Sequence, residues 1–370
     1  MVRGVNWLGD AIMTTPAIQR LGQHLPNARI ALLTQENLAE LWQDHPALHD
    51  VLTFKRGENP WSVARRLRAQ RFQTALILPN SPRSALEAWL AGIPHRIGYS
   101  GRWRGCFLTQ PVRHLERYKS LRKRGIGEVK RLIRQNTSHG IANPAHPVRH
   151  QINDYLYLSA ALGADPTPVA PRLQVSSQEV ESAASLVQQL STAAHLASGE
   201  PHLWIGLYAS AAYGPAKRWP LERFSEVIRQ ISTRIPGCSW LCLGTQSDWE
   251  LNEQLAKSAN GRVLNLAGRT SLRQLMAVSK CCRLVLTNDS GPMHLAAAVG
   301  TPVVVPFGST SPELTGPGEP GDGRHSILRS HVPCAPCFRR TCPIDLRCMT
   351  GIRAEQVVAA VVRTLGEQTA

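Results

Sequence analysis

Acidic residues are scarce in this 370-residue chain: 26 Asp and Glu stand against 42 Lys and Arg, a formal charge of +16. Such an excess points to an anionic partner: a nucleic acid, an anionic membrane surface or a phosphorylated substrate. No helix-turn-helix, zinc-finger or aromatic-platform pattern accompanies the charge, so a nucleic-acid partner is not expected. Long apolar runs are also missing. No stretch of about 18 or more apolar residues occurs, which excludes a membrane-spanning helix. No apolar segment of the signal-peptide kind follows Met1-Val2-Arg3-Gly4, so the expected location is the cytoplasm. The nine cysteines are odd in number and include Cys281-Cys282 and Cys334-x-x-Cys337, which is not a secreted disulfide framework. No short internal repeat is found.

What is present is ordinary for a globular enzyme: 43% hydrophobic and 18% charged residues, in a length that favours two domains. Short apolar runs at 2–5, 28–33, 51–54 and 74–78 read as buried strands. Stretches 11–25, 38–43 and 61–70 between them read as helices. Such alternation predicts a parallel sheet covered on both faces. The first strand is short by a few apolar residues, and Pro16 either kinks the first helix or marks its early turn. Residues 100–150 differ. Arg102, Arg104, Arg113, Arg117, Lys119, Arg122, Lys123, Arg124, Lys130, Arg131 and Arg134 with few acids predict a solvated, partly mobile loop. A helix at 151–162 follows, then a rigid connector carrying Pro166, Pro168 and Pro171.

The alternation resumes in the second half. Strands are expected at 203–207, 240–243, 263–265, 284–287 and 303–307. Helices are expected at 177–190, 221–233, 248–258, 272–278 and 292–299, with an amphipathic closing helix at 354–365. The predicted fold class is therefore α/β, in two Rossmann-like lobes, 1–172 and 173–370. Their parallel sheets are expected to face each other across a cleft, at the carboxyl ends of the strands, where open α/β sheets bind ligands.

Three segments carry the candidate chemistry. In residues 284–300 a strand ends at Thr287, a polar turn Asn288-Asp289-Ser290-Gly291 follows, and Pro292 falls at the first helical position. Free N–H groups and the positive end of the helix dipole make such a start an anion site. Gly291 lets a phosphate approach the backbone and Ser290 adds a hydroxyl donor. Asp289 would repel a phosphate, so it either caps the helix or faces sugar hydroxyls. In residues 206–220 a strand runs into a small-residue loop ending in Lys217-Arg218-Trp219-Pro220. Lys217 is a point charge for a diphosphate, or Lys217 and Arg218 are a solvated basic pair ahead of a proline. In residues 3–16, Asp10 follows a strand and a turn. It is either an N-cap or a carboxylate placed to act as a general base.

Residues 6–16, 78–86, 91–98, 214–220 and 287–294 together resemble the motifs of glycosyltransferase family 9, the lipopolysaccharide heptosyltransferases, in family order across nearly the whole chain. The resemblance implies a GT-B fold and an inverting transfer that needs no metal or cofactor. The implied donor is ADP-heptose, and the implied acceptor is the phosphorylated lipid A–Kdo–heptose of the inner core. The pattern is most similar to members that add the second heptose. Members that add the first or another core heptose are the alternative, and a GT-B-like nucleotide-sugar epimerase is the alternative of a different class.

By this resemblance Asp10 is the base, and Lys217 neutralises the departing ADP with the N–H groups at Ser290–Gly291. Arg218, Asp289, Pro292 and His294 belong to the donor side, with His294 either supporting the turn or packing in the core. An acid in Asp248-Trp249-Glu250, assigned as Glu250, holds the ribose. Asn80, Arg83 and Arg96 bind the acceptor. The basic stretch 102–134 faces an anionic membrane, which implies peripheral attachment at the inner leaflet of the inner membrane. Cys334, Cys337, Cys342 and Cys348 are either reduced, partly buried thiols or a structural zinc or iron–sulfur site.

Overall fold

The computed structural model describes residues 1–101, 103–114, 122–135, 149–194, 203–259, 263–319 and 321–366. Of the basic stretch, Arg102, Arg117 and Lys119 lie outside the described residues. Two compact units emerge: Met1–Tyr118 with Arg149–Gln174, and Lys119–Val148 with Val175–Ala370.

The first unit is built on strands β1 (Val2–Arg3), β2 (Ala31–Gln35), β3 (Asp50–Phe54), β4 (Thr74–Ile77), β5 (His95–Tyr99) and β6 (Gln110–Val112). All pair in parallel in the order β3-β2-β1-β4-β5-β6. The short β1 is the keystone: Val2 pairs with Leu32 on one side and Leu76 on the other. One core layer joins Leu33, Phe54 and Ile77 of the sheet to Val63, Leu67 and Ala88 of the covering helices. Arg3 is buried within β1, where its Nε bonds Glu87 Oε2 at 3.0 Å and its guanidinium lies 4.2 Å over the Phe54 ring. Pro16 is the second residue of a helix Thr15–His24 that follows a separate helix, Leu8–Met13. The proline therefore marks an early turn, where a missing N–H costs little.

The second unit repeats the plan with β7 (Leu203–Tyr208), β8 (Cys238–Cys242), β9 (Val263–Asn265), β10 (Leu284–Thr287), β11 (Val303–Phe307) and β12 (Ser326–Arg329). The order is β12-β11-β10-β7-β8-β9, again all parallel. Its core collects Ile205, Leu207, Trp240, Leu286 and Val304 against Phe224, Ile228, Val357 and Val361 from two helices. In both units the strand order reverses beside the first strand: between β1 and β4, and between β7 and β10. Ligands of open parallel sheets bind outside the carboxyl ends at such a reversal.

Several expectations need correction. Strands β5, β6 and β12 and the helix Pro82–Leu90 exist beyond those read from the sequence, and residues 36–42 form a 3₁₀ rather than an α-helix. The basic stretch is not a loop throughout. Residues Ile126–Arg134 form a helix in which Val129 is buried and Ile133, one turn on, is half-buried, while Lys130, Arg131 and Arg134 are exposed. The i, i+4 apolar pair is enough to seat an otherwise charged helix. Its seat is the cysteine segment of the second unit: Val129 packs on Cys334 and Cys337, and Arg124 N donates to Cys337 O at 2.9 Å.

Candidate functional site

At the reversal in the second unit, β7 and β10 run side by side, with Tyr208 opposite Thr287. The turns that leave them are therefore neighbours. Asn288 joins them: its Nδ2 donates to Ala209 O at 2.7 Å, and its Oδ1 accepts from Trp219 N at 3.0 Å. One fully buried amide thus holds the start and the end of the loop after β7. In the sequence Asn288 is only a polar turn residue. A polar side chain between a buried strand and a helix start was the available signal.

Asp289 is 2% exposed and does not cap the helix; the N-cap position is Ser290, without a side-chain cap bond. The Asp289 carboxylate instead faces Lys217, Oδ2 to Nζ 2.7 Å, and accepts from the Thr310 hydroxyl. The helix Gly291–Ala298 begins directly after, with Pro292 in its first turn and His294 buried within it. Ser290 Oγ donates to Asn288 O at 3.3 Å.

Lys217 ends a 3₁₀ turn, Pro215–Lys217, and lies 4.9 Å from the Tyr213 ring centroid. That loop rests on the segment after β12. Tyr213 Oη donates to Phe338 O at 2.9 Å, and Ala216 N donates to Arg340 O at 2.9 Å. Gly214 has φ +150, and a Cβ there would stand 2.6 Å from Arg340 O, so only glycine fits. Arg340 approaches the same Tyr213 ring at 5.3 Å. Arg218 is exposed, its Nη2 3.5 Å from Ala211 O.

Glu250 lies exposed in the first turn of the helix Trp249–Ser258. The neighbouring acid, Asp248, bonds Thr245 N at 2.8 Å in a capping box, which is a structural duty. The cysteine segment is knitted to the loop after β11 by Cys337 N and Phe338 N, both donating to Ser309 O, at 3.0 and 2.7 Å. Cys334, Cys337 and Cys348 are buried, Cys342 is half-buried, and all four are free thiols. Burial first, and then the neighbouring thiols, push Cys334 up to about 11 and Cys348 up to about 12. Among the described residues no group of three or more His, Cys, Asp or Glu side chains is arranged to hold a metal ion.

At the reversal in the first unit, Asp10 sits in the first turn of the helix Leu8–Met13 and does not cap it, since the N-cap position is Trp7. Gln151 Nε2 lies 3.2 Å from Asp10 Oδ1 and 2.9 Å from Tyr155 Oη. Burial, aided by the Asp10 charge, pushes the Tyr155 phenol well above its usual range, so it stays protonated. Asn80 leaves the neighbouring strand β4, and its Oδ1 accepts from Arg104 Nη1 at 3.2 Å. Arg83 and Arg96 are engaged elsewhere. Arg83 Nε bonds Glu87 Oε1 at 2.8 Å, and its Nη2 bonds Glu58 O. Arg96 lies near the start of β5, away from the carboxyl edge, and donates to the carbonyls of Phe107, Ile93 and Pro94.

Comparison with known proteins places these features in a family context. Residues 115–347 match the profile of glycosyltransferase family 9 (heptosyltransferase). The chain is 30% identical over 328 residues to lipopolysaccharide heptosyltransferase 2 of Escherichia coli K12, covering 86% of this chain and 84% of that one. It is 28% identical over 331 residues to lipooligosaccharide heptosyltransferase 2 of Haemophilus ducreyi, covering 86% and 85%. Among solved structures, ADP-heptose LPS heptosyltransferase II of E. coli superposes with a TM-score of 0.76 at 25% identity, over 100% of this chain and 99% of that one. A family 9 glycosyltransferase from Veillonella parvula gives 0.78 at 22% identity, over 99% and 96%, a likeness of fold.

Proposed function

Because this chain belongs to glycosyltransferase family 9, the heptosyltransferases, we propose that it transfers heptose from ADP-heptose to the first heptose of the lipopolysaccharide inner core. The observation that carries the donor half of this reading is the constellation at the β7–β10 reversal: Lys217 held by Asp289 beside the amino end of the helix Gly291–Ala298. A cation and a helix start on one strand edge suit a diphosphate leaving group, on which negative charge grows in the transition state. Lys217 and the N–H groups at Ser290 and Gly291 receive that charge. Asp289, paired with Lys217 and Thr310, sets the height of the ammonium. Arg218 adds exposed positive charge, and Glu250 takes the ribose hydroxyls.

In the first unit Asp10 takes the proton from the attacking acceptor hydroxyl. Gln151 orients the Asp10 carboxylate for that transfer. As the acceptor oxygen bonds to the anomeric carbon, the bond to the ADP oxygen breaks, with inversion. Arg83 and Arg96 then serve as scaffold for the acceptor side, and Asn80 faces it. The enzyme works peripherally at the cytoplasmic face of the inner membrane, drawn by its net charge of +16.

The test is turnover of ADP-heptose with acceptors bearing zero, one or two heptoses. Activity confined to the one-heptose acceptor is expected. Preference for the acceptor with no heptose would reassign the enzyme to the first transfer. In the same assay Asp10→Ala should reduce kcat by at least about 10²-fold while ADP binding by calorimetry is unchanged. Loss of ADP binding would remove Asp10 from the base role.

A further inference from the structure

Two helices of the first unit, Pro60–Ala69 and Pro82–Leu90, carry tryptophans in the open: Trp61 is 67% exposed and Trp89 is 47% exposed. The core beneath these helices is filled by Val63, Leu67, Ala85 and Ala88 instead. Trp89 leans on Phe107, ring centroids 5.6 Å apart. An indole left in water forgoes a large apolar burial.

Connections between parallel strands are right-handed. The chain steps outward from β1 through β2 to β3, then returns across the sheet to β4 and on to β5. The two directions put their connections on opposite faces, so both tryptophan-bearing helices cover one face. They are tied side by side: Arg68 Nη2 donates to Leu90 O at 2.6 Å, and Arg83 Nη2 donates to Glu58 O. On the first helix Trp61 and Arg65 share an outward stripe at i, i+4; on the second, Leu86 and Trp89 share one at i, i+3.

The charge on that face has one sign. Residues 55–96 hold eight Lys and Arg against two Glu. Neither Glu opposes an incoming anion: Glu58 bonds Arg66, and Glu87 is buried between Arg3 and Arg83. The segment 36–49, on the connection over the opposite face, holds three exposed acids and no Lys or Arg. A sheet with one cationic face and one acidic face meets an anionic surface one way round. Charge alone suits any polyanion. Exposed indoles among guanidinium groups match the boundary of a bilayer, where the rings lie at headgroup depth and the cations meet anionic lipid.

We infer that the outer face of the helices Pro60–Ala69 and Pro82–Leu90 seats this chain on an anionic lipid bilayer, with Trp61 and Trp89 entering the headgroup layer. The inference rests on the membrane part of the proposed function and names the face which that part leaves open. These helices run back against the strands, so the amino end bearing Trp61 lies at the carboxyl edge, from which Asp10 departs after β1. Seated this way, the chain holds that edge at the side of the bilayer, where a lipid-anchored sugar stands.

The test is partitioning of the full-length enzyme onto vesicles of phosphatidylglycerol and phosphatidylcholine. Trp61→Ala with Trp89→Ala should lower the partition coefficient on the order of 10-fold. Arg56→Glu with Arg65→Glu should lower it on the order of 10- to 100-fold, while Arg234→Glu with Lys257→Glu, the same charge change on the second unit, should stay within about twofold. Brominated acyl chains should quench the fluorescence of the unaltered enzyme more than that of the double tryptophan variant. Because Trp89 rests on Phe107, Trp61→Ala alone, with an expected loss of about 3- to 10-fold, carries the test if the double variant melts early. Equal losses in the two charge variants would assign binding to net charge and overturn the inference. Tryptophan variants that bind like the unaltered enzyme would overturn it too. If enzyme that transfers heptose leaves anionic vesicles unbound, the inference falls and the transferase reading stands. If the enzyme binds through this face and transfers nothing, the reverse holds.

Discussion

Lys217 Nζ lies 2.7 Å from Asp289 Oδ2, so the segments that leave β7 and β10 meet as an ion pair on one strand edge. Both partners are largely shielded, at 11% and 3% side-chain exposure, and Thr310 adds a hydroxyl to the same carboxylate oxygen. A diphosphate arriving at Lys217 competes with Asp289 for the ammonium, which ties donor affinity to the balance within this pair.

Lys217→Ala therefore has two separable effects. It weakens ADP binding on the order of 10- to 100-fold by calorimetry. It also leaves Asp289 buried beside Thr310 without a cation, so stability falls by about 3 kcal/mol. Adding Asp289→Asn to Lys217→Ala should restore most of the stability and none of the affinity. A double variant no more stable than Lys217→Ala would show that the pair does not carry the stability.

Asn288 offers a sharper structural test. Its amide bridges Ala209 O and Trp219 N, and it is fully buried. Asn288→Ala strands both backbone groups and should cost about 1–3 kcal/mol. Because the same bonds fix the loop that bears Lys217, the KM for ADP-heptose should rise together with the fall in melting temperature. A stability loss with unchanged KM would separate the loop from donor binding.

Acid stability should carry the mark of His325. The ring is buried, its Nδ1 accepts from Val303 N at 3.3 Å, and burial lowers its pKa from the usual 6.5 to about 4, against a partial pull upward from Asp322. The unfolded chain therefore binds a proton that the folded chain refuses between those two values. Stability is fully present above pH 6.5 and is lost as pH falls toward 4, by about 3 kcal/mol at most. Denaturant melts of His325→Asn should show a flatter dependence across that window. An identical slope would remove His325 from the acid response.

Membrane attachment by charge makes a further measurable claim. Co-sedimentation with vesicles containing anionic lipid should fall steeply as salt rises from about 50 to 500 mM. Vesicles of neutral lipid should retain little protein at any salt. Binding that ignores salt would exclude the electrostatic mode.

How much of this was legible in the sequence depends on distance along the chain. The turn after β10 and the loop after β7 each announce themselves locally, as apolar strands running into small residues, a proline and a helix. Their meeting through Asn288 and Lys217 follows from strand order, which local patterns leave open. Arg83 and Arg96 read as acceptor ligands from charge and motif; Glu87 holds Arg83, and backbone carbonyls, which no residue pattern reports, engage both guanidinium groups. β5 is hidden locally because His95-Arg96-Ile97-Gly98-Tyr99 mixes charge and glycine, and its pairing with β4 decides the matter. The charge run at 122–134 hid Val129 and Ile133, whose partners lie about 200 residues further on.

That last contact has a consequence in time. The helix Ile126–Arg134 belongs to the second unit, yet its seat on Cys334 and Cys337 is made about 200 residues later. At about 5–20 residues per second, synthesis leaves Val129 without that seat for about 10–40 s after it is made. A ribosome stalled before residue 334 therefore holds a basic helix without its seat, and synthesis of the segment 334–340 completes both that seat and the floor beneath the loop of Lys217 together.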